Sequence, residues 1–192
     1  ENNDQIHVNP ATGYIIDEDG IVVTNHHVVE SFTFAEGVTK LAMGIATDEG
    51  KVYLVTEVLS TNKDNDLCIV HVDTRGDKLT ALPIGVPAQQ GDEVFVMSHP
   101  VEMLYYFSKG VVARNHIAKD DDSSAMYVRT MDITADYAAG SSGGPIVDQF
   151  GNLVSTVSST ESIIYPNEDQ QLQMVVKRTK PVVLLQEMIK LK

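Results

Sequence analysis

An all-β fold, either a barrel or a sandwich, is the class that this sequence predicts. Short β-branched runs bounded by Gly, Asn, Asp or Pro recur along its 192 residues, and such runs are typical of strands. Only one segment, at the C-terminal end, has a strong helical periodicity. Strands at this spacing favour a barrel or a sandwich, built as one large domain or as two smaller ones that share an interface.

The predicted elements begin with a hairpin. Residues 17–20 form a tight turn between the first two strands, and residues 147–152 form another turn. Residues 83–92, with Pro87 and Gly91, are interpreted as a linker between two halves. The eleven predicted strands span residues 11–16, 21–25, 39–46, 52–59, 67–72, 94–98, 103–112, 127–130, 145–147, 153–157 and 172–176.

One helix is predicted, over residues 181–192. Pro181 fits the first helical position, and Val182, Leu185, Met188 and Ile189 recur on one face. We expect this face to pack against the last barrel.

The charge balance excludes several classes of partner. The chain has 14 Lys and Arg residues against 27 Asp and Glu residues, a formal net charge of −13. Nucleic acids and anionic membrane surfaces are polyanions, so neither is an expected partner, and basic ligands are mildly favoured. No apolar run is long enough to insert into a membrane. Because the chain begins at Glu1 rather than Met, we expect a removed leader and a periplasmic or secreted location.

Neither a disulfide nor a metal centre is expected. Cys68 is the only cysteine, and it lies in the apolar run 67–70, where a buried and inert thiol is predicted. The acidic run 120–124 is interpreted as a solvated loop, since it lacks the ligand pattern of an EF-hand calcium loop. No cofactor is predicted.

Residues 140–145, Gly-Ser-Ser-Gly-Gly-Pro, predict a nucleophilic serine. A serine hydroxyl needs a base to remove its proton, and the charge that forms on the attacked carbonyl needs fixed donors. Glycines let the backbone turn sharply enough for neighbouring N–H groups to point at one spot. The alternative is a plain Gly/Ser turn between two strands.

A histidine and an aspartate with suitable surroundings precede this segment. His26 and His27 follow a predicted strand, and in an extended chain only one of the two would face a cleft. Asp66 directly precedes the apolar run, where its carboxylate could orient an imidazole or simply cap a turn. Asp64 is a weaker candidate for the same position. The order His, Asp, Ser is one that catalytic triads use.

Together these segments resemble trypsin-like serine proteases of the chymotrypsin fold, and more narrowly the disulfide-free bacterial Deg-type (high-temperature-requirement) proteases. The resemblance runs through residues 11–29, 66–70, 91–100 and 140–145. It implies two perpendicular six-stranded antiparallel β-barrels with a C-terminal helix. Residues 1–84 would form the first barrel, residues 85–180 the second, and residues 181–192 a helix packed on the second.

The resemblance also implies a role for each site residue. In this family the fourth residue of Thr-x-x-His is catalytic, which selects His27. Ser142 would attack the peptide carbonyl to form an acyl-enzyme, with His27 as the base and Asp66 orienting it. The backbone N–H groups of Gly140 and Ser142 would form the oxyanion hole. Polypeptide substrates would add as a β-strand beside residues 157–159, which include Ser158 and Ser159.

Specificity is left open between two interpretations. Asp136 lies six residues before Ser142, the offset at which trypsin carries the carboxylate of its primary specificity pocket. A desolvated carboxylate there would favour Lys or Arg side chains. Alternatively, Asp136 points outward, Tyr137 or Met131 fills the space, and the pocket prefers aliphatic side chains, as in most Deg-type proteases.

The chain departs from its relatives at two places. Ser141 stands where trypsin-type zymogens carry an aspartate that pairs with a freed N-terminus, so that mode of activation is not expected. Deg-type enzymes usually carry a peptide-binding module after the protease domain, and this sequence ends after the predicted helix. The alternative to an endopeptidase is a catalytically silent or latent module of the same fold that binds peptides or acts as a sensor. The sequence does not indicate the oligomeric state.

Overall fold

The computed structural model describes residues 10–33, 42–119, 126–166 and 171–190, so the acidic run 120–124 lies outside the described residues. Two α-helices are present in these ranges, α1 at His26–Thr33 and α2 at Val182–Lys190. The described strands are β1 Tyr14–Asp17, β2 Ile21–Thr24, β3 Gly44–Ala46, β4 Val52–Asn62, β5 Leu67–Val72, β6 Glu93–Ser98, β7 Tyr106–Lys119, β8 Tyr127–Ile133, β9 Pro145–Val147, β10 Leu153–Ile164 and β11 Leu172–Pro181.

The first half of the chain forms an antiparallel sheet in the order β1-β2-β5-β4-β3. Its central strand β5 is buried on both faces, because Leu67 and Ile69 join one core cluster and Cys68, Val70 and Val72 join another. This explains why the strand is a continuous apolar run rather than an alternating one. The Cys68 thiol is buried as predicted, and burial raises its pKa, which disfavours the reactive thiolate.

The second half forms a closed six-stranded barrel in the order β10-β11-β8-β7-β6-β9. Its interior is a single apolar cluster that includes Val94, Val112, Met131, Ile133 and Ile146. The predicted all-β fold with two antiparallel halves and a short C-terminal helix is therefore confirmed. Within the described residues the first half has five strands, where six were expected.

Helix α2 lies where the two halves meet. It begins at Val182, because Pro181 is the last residue of β11. Val182, Leu184, Leu185 and Met188 are buried, and they share one cluster with four residues of the first sheet and one of β10. The helix thus contacts both halves, and not only the second barrel. The residues that complete this cluster are Tyr14, Val23, Leu67, Ile69 and Leu153.

The linker between the halves is held against the barrel by its main chain. The Leu153 N–H donates to the Pro83 carbonyl at 2.8 Å, and the Gly85 N–H donates to the Leu153 carbonyl at 2.9 Å. The hydroxyls of Tyr14 and Thr156 are bonded at 2.7 Å and join the first sheet directly to β10. These bonds hold the two halves against each other close to the site described below. No described helix has the length and apolar character needed to cross a membrane.

Candidate active site

A short helix, and not an extended segment, presents the two adjacent histidines. Helix α1 begins at His26, so successive side chains point about 100° apart around its axis. His26 turns toward β4, where its Nδ1 is bonded to the Thr61 hydroxyl at 2.7 Å. His27 turns toward Asp66, and its side chain is about half exposed at 48%. The extended geometry considered for this pair is therefore wrong, although the sequence did contain a helix signal, since Asn25 stands at the preferred N-cap position.

The Asp66 carboxylate holds the imidazole of His27 in place. Nδ1 of His27 lies 2.9 Å from Oδ1 and 3.0 Å from Oδ2 of Asp66, and the His27 backbone N–H donates to Oδ1 at 3.1 Å. Asp66 has a φ of 48°, a left-handed conformation that Asp tolerates better than most residues. Asn25 fixes this turn by donating its side-chain N–H to the Asp66 carbonyl at 2.8 Å.

The Asp66 carboxylate is buried yet remains ionised. Burial by itself would raise its pKa, but the hydrogen bonds and charge of His27 and the hydroxyl of Ser158 together hold the pKa below its usual range. The Ser158 Oγ donates to Oδ2 at 2.9 Å. With the carboxylate ionised, Nδ1 of His27 is the protonated nitrogen, so Nε2 is the basic position of the neutral ring.

The segment 140–144 forms a tight turn against the first half of the molecule. Thr12 donates its N–H to the Ser142 carbonyl at 2.9 Å and its hydroxyl to the Gly140 carbonyl at 2.8 Å. Gly143 has a φ of 82°, and a Cβ at that position would lie 2.3 Å from the Thr12 carbonyl oxygen and 2.4 Å from Thr24 Oγ1. The turn thus packs against the end of β2, three residues before His27. Ser142 is partly exposed, whereas Ser141 is fully buried.

Two N–H groups of this turn are oriented away from the loop's own hydrogen bonds. The Ala139 carbonyl accepts from the Val101 N–H at 2.7 Å, and the Ser141 carbonyl accepts from the Gly144 N–H at 2.9 Å. In a trans peptide the N–H points opposite to the carbonyl, so the N–H groups of Gly140 and Ser142 face away from those partners. In the part of the chain that the structure describes, neither N–H donates to a protein acceptor.

The predicted substrate-binding serines, Ser158 and Ser159, lie on β10 next to Asp66. Ser158 is buried and bonded to Asp66, while Ser159 is exposed. On one side, β10 pairs with β11 from Ser155 to the end of the strand. On its other side, β10 pairs with β9 only through residues 153–156. Within the described residues, one edge of β10 beyond Ser158 therefore has no strand partner.

Asp136 does not line a buried pocket. Its side chain is 76% exposed and lies 3.6 Å from the Lys177 ammonium. Tyr137 and Met131 are the buried residues here, at 3% and 0% exposure. A solvated carboxylate cannot supply the desolvated base of a pocket for Lys or Arg, because water screens its charge. The outward orientation that the sequence left open is the one observed.

Several contacts that shape the site were not identified from the sequence. Thr12, Thr24 and Val101 hold the turn at 140–144, and Lys177 donates to the Tyr137 carbonyl at 2.5 Å. These contacts join positions far apart in the chain, so no local sequence pattern predicts them. No group of three or more His, Cys, Asp or Glu side chains in the described ranges is arranged to hold a metal ion.

The chain is similar to known peptidases over most of its length. A trypsin-like peptidase domain family matches residues 11–155. "Protease Do-like 1, chloroplastic" of Arabidopsis thaliana is 27% identical over 148 residues, which cover 74% of this chain and 31% of that protein. "Probable periplasmic serine endoprotease DegP-like" of Chlamydia trachomatis is 28% identical over 150 residues, which cover 74% of this chain and 27% of that protein.

Among solved structures, that of Deg5 superposes with a TM-score of 0.70 and 19% identity, covering 95% of this chain and 82% of that one. This likeness concerns the fold. The chain spans about a third or less of the length of both relatives named above. Since the family match extends over most of the chain, this protein belongs to the trypsin-like peptidase domains, a family of serine proteases.

Proposed function

We propose that this chain is a serine endopeptidase that cleaves polypeptides through an acyl-enzyme. The observation that supports this most is the network Ser158–Asp66–His27, with bonds of 2.9 and 3.0 Å, beside a turn that presents Ser142. In the proposed reaction Nε2 of His27 takes the proton of the Ser142 hydroxyl while Oγ forms a bond to the peptide carbonyl carbon. The resulting imidazolium is stabilised by Asp66 and then gives its proton to the leaving amine. Water hydrolyses the acyl-enzyme by the same route.

The negative charge on the attacked carbonyl oxygen would be bound by the N–H groups of Gly140 and Ser142. Their orientation away from the loop's internal partners supports this role. A donor of this kind contributes roughly 10²–10³ in rate, because it is already aligned when the charge develops. Alignment depends on the first half of the molecule, since Thr12 holds the carbonyls of both residues.

Substrate main chain would pair with the unpartnered edge of β10 beyond Ser158. Added strands gain main-chain hydrogen bonds that are independent of sequence, which suits a protease acting on extended polypeptides. A periplasmic or secreted location is part of the proposal. The Chlamydia relative, which is named as periplasmic, supports this location, while the Arabidopsis relative is named as chloroplastic.

Labelling with a fluorophosphonate probe tests the proposed function. The wild type should be labelled covalently near neutral pH, the Ser142→Ala variant should not be, and Ser141→Ala should retain labelling. If the wild type is not labelled but still binds an unfolded polypeptide, the chain is a silent peptide-binding module and not an endopeptidase. Labelling that persists in Ser142→Ala would mean that another serine is the nucleophile.

A further inference from the structure

Lys177 lies between the two segments that would hold the substrate. It is on β11 opposite Thr160, two residues beyond the serine that is bonded to Asp66. Its ammonium donates to the carbonyl of Tyr137, five residues before Ser142, at 2.5 Å. The side chain is 14% exposed, so the charge is partly desolvated and still accessible.

The Tyr137 ring lies against this ammonium. Its hydroxyl is bonded to the carbonyls of Ser159 at 2.8 Å and Arg178 at 2.6 Å, so the ring spans from the nucleophile segment to the β10–β11 pair. The Lys177 ammonium lies 5.2 Å from the ring centroid, over its face. Burial raises the pKa of the Tyr137 phenol, which therefore stays neutral beside the Lys177 ammonium.

The ammonium keeps hydrogen-bonding capacity that the described residues do not use. It has three N–H donors, and within the described ranges its hydrogen-bond acceptor is the Tyr137 carbonyl. The Asp136 carboxylate is 3.6 Å away, beyond hydrogen-bond distance, and is 76% exposed. Such a solvated pair is weak and can be exchanged for another carboxylate.

We propose that Lys177 is a specificity-determining residue that selects an acidic side chain, Asp or Glu, on the substrate residue whose carbonyl is attacked. This inference rests on the proposed endopeptidase function. When that carbonyl lies at the N–H groups of Gly140 and Ser142 and the main chain follows β10, the side chain of the same residue faces the gap between these segments. Tyr137 and Lys177 join these segments, through the bonds to the Tyr137 carbonyl and the Ser159 carbonyl. The preference is opposite in sign to the basic specificity considered from Asp136.

A pair of peptides that differ only by Glu or Gln at the residue before the cleaved bond tests this proposal. Glu and Gln have nearly the same shape, so the ratio of their kcat/KM values reports charge. We expect the wild type to prefer Glu by about tenfold, since one charge-assisted hydrogen bond replaces a neutral one. Lys177→Met should bring the ratio to about one, while Asp136→Asn should raise it because a competing carboxylate is removed.

Lys109→Met is the matched control, since Lys109 also pairs with a carboxylate on the second barrel but lies on β7. It should leave the Glu/Gln ratio unchanged. Lys177→Arg keeps the positive charge and should retain the preference for Glu. This second variant keeps the proposal testable if Lys177→Met fails to fold. A wild-type ratio of one or less, or an equal ratio in Lys177→Met, overturns the assignment and leaves Lys177 as a structural donor to Tyr137. Fluorophosphonate labelling of the same samples separates this outcome from failure of the proposed function, which would abolish labelling altogether.

Discussion

The two halves of the molecule build their parts of the site by different physical means. The first half uses side chains, since the His27 ring is fixed by the Asp66 carboxylate, which also accepts from Ser158 of the second half. The second half uses its main chain, since the turn at 140–144 is defined by glycine conformations and by carbonyls bonded to Thr12. Side-chain networks fail when a hydrogen-bonding pattern changes, whereas main-chain turns fail when an added atom does not fit. The substitutions below test that difference.

Replacing Asp66 with Asn should have the largest effect on activity. Asp66 accepts from Nδ1 and the backbone N–H of His27 and from Ser158, and an amide cannot accept at both of its ends. The variant favours a ring with its proton on Nε2, which cannot act as a base. We expect kcat to fall by about 10⁴, as in other Ser-His-Asp triads, with little change in fold because Asn also tolerates the left-handed conformation.

The matched control is Asp64→Asn, which removes the same charge from an exposed position two residues away. Steady-state kinetics of both variants should show the loss only for Asp66. Equal activity of the two variants would contradict the role assigned to the Asp66 carboxylate.

Replacing Gly143 with Ala tests the main-chain half of the comparison. The new Cβ would lie 2.3 Å from the Thr12 carbonyl oxygen, at a φ of 82°. The turn must shift away from the first half, which misplaces Ser142 and its N–H group. We expect activity to fall by about 10²–10³, the cost of a lost oxyanion donor, together with a lower free energy of unfolding.

Gly151→Ala separates backbone strain from the clash. Gly151 also has a φ of 82°, but a Cβ there would meet no atom within 4 Å. Its variant should lose only about 1 kcal/mol, from the left-handed conformation alone, and keep full activity. Chemical denaturation and kinetics measure both variants, and a Gly143→Ala protein as active as Gly151→Ala would mean that the turn is not held by Thr12 and Thr24.

How far the sequence predicted this molecule depends on the range of the interactions involved. Each of the eleven predicted strands overlaps a described strand because bounded β-branched runs are local signals, although residues 39–41 of the third prediction lie outside the described residues. Strands β4, β7, β8, β10 and β11 extend beyond their predicted ends because pairing with neighbours lengthens them. Helix α1 was missed since Val28 and Val29 favour strands, and its formation depends on the packing of Val29 in the first core. The direction of Asp136 and the position of Lys177 depend on the pairing of β10 with β11, which the sequence does not encode locally.

Acid pH should weaken the side-chain half of the site through Asp66. Its pKa in the folded protein is lowered relative to an ordinary value of about 3.9, so the ionised form stabilises the fold. That contribution is complete above the unfolded pKa and is lost as the pH falls through the lower, folded value. The free-energy difference between wild type and Asp66→Asn, measured by urea unfolding, should shrink below about pH 4. A difference that stays constant into strong acid would contradict the ionised, hydrogen-bonded carboxylate.

The smallest expected effect concerns the connection between β6 and β7, which contacts the main-chain half of the site. Nδ1 of His99 accepts from the Tyr105 N–H at 3.0 Å, and the His99 carbonyl lies against Gly140. Burial lowers the pKa of His99, so this bond is intact at neutral pH and is lost as the pH falls below the ordinary histidine value of about 6.5.

The Tyr105 amide resonance should therefore titrate with a midpoint below that ordinary value, and His99→Ala should reduce activity by only a few-fold, since one neutral hydrogen bond contributes about 1 kcal/mol. Protonation of His99 should release the Tyr105 N–H, because the Nδ1 that accepts from it becomes a donor. If the Tyr105 amide does not respond to pH, the His99 bond does not tie this connection to the nucleophile turn, and Val101 alone holds it through the Ala139 carbonyl.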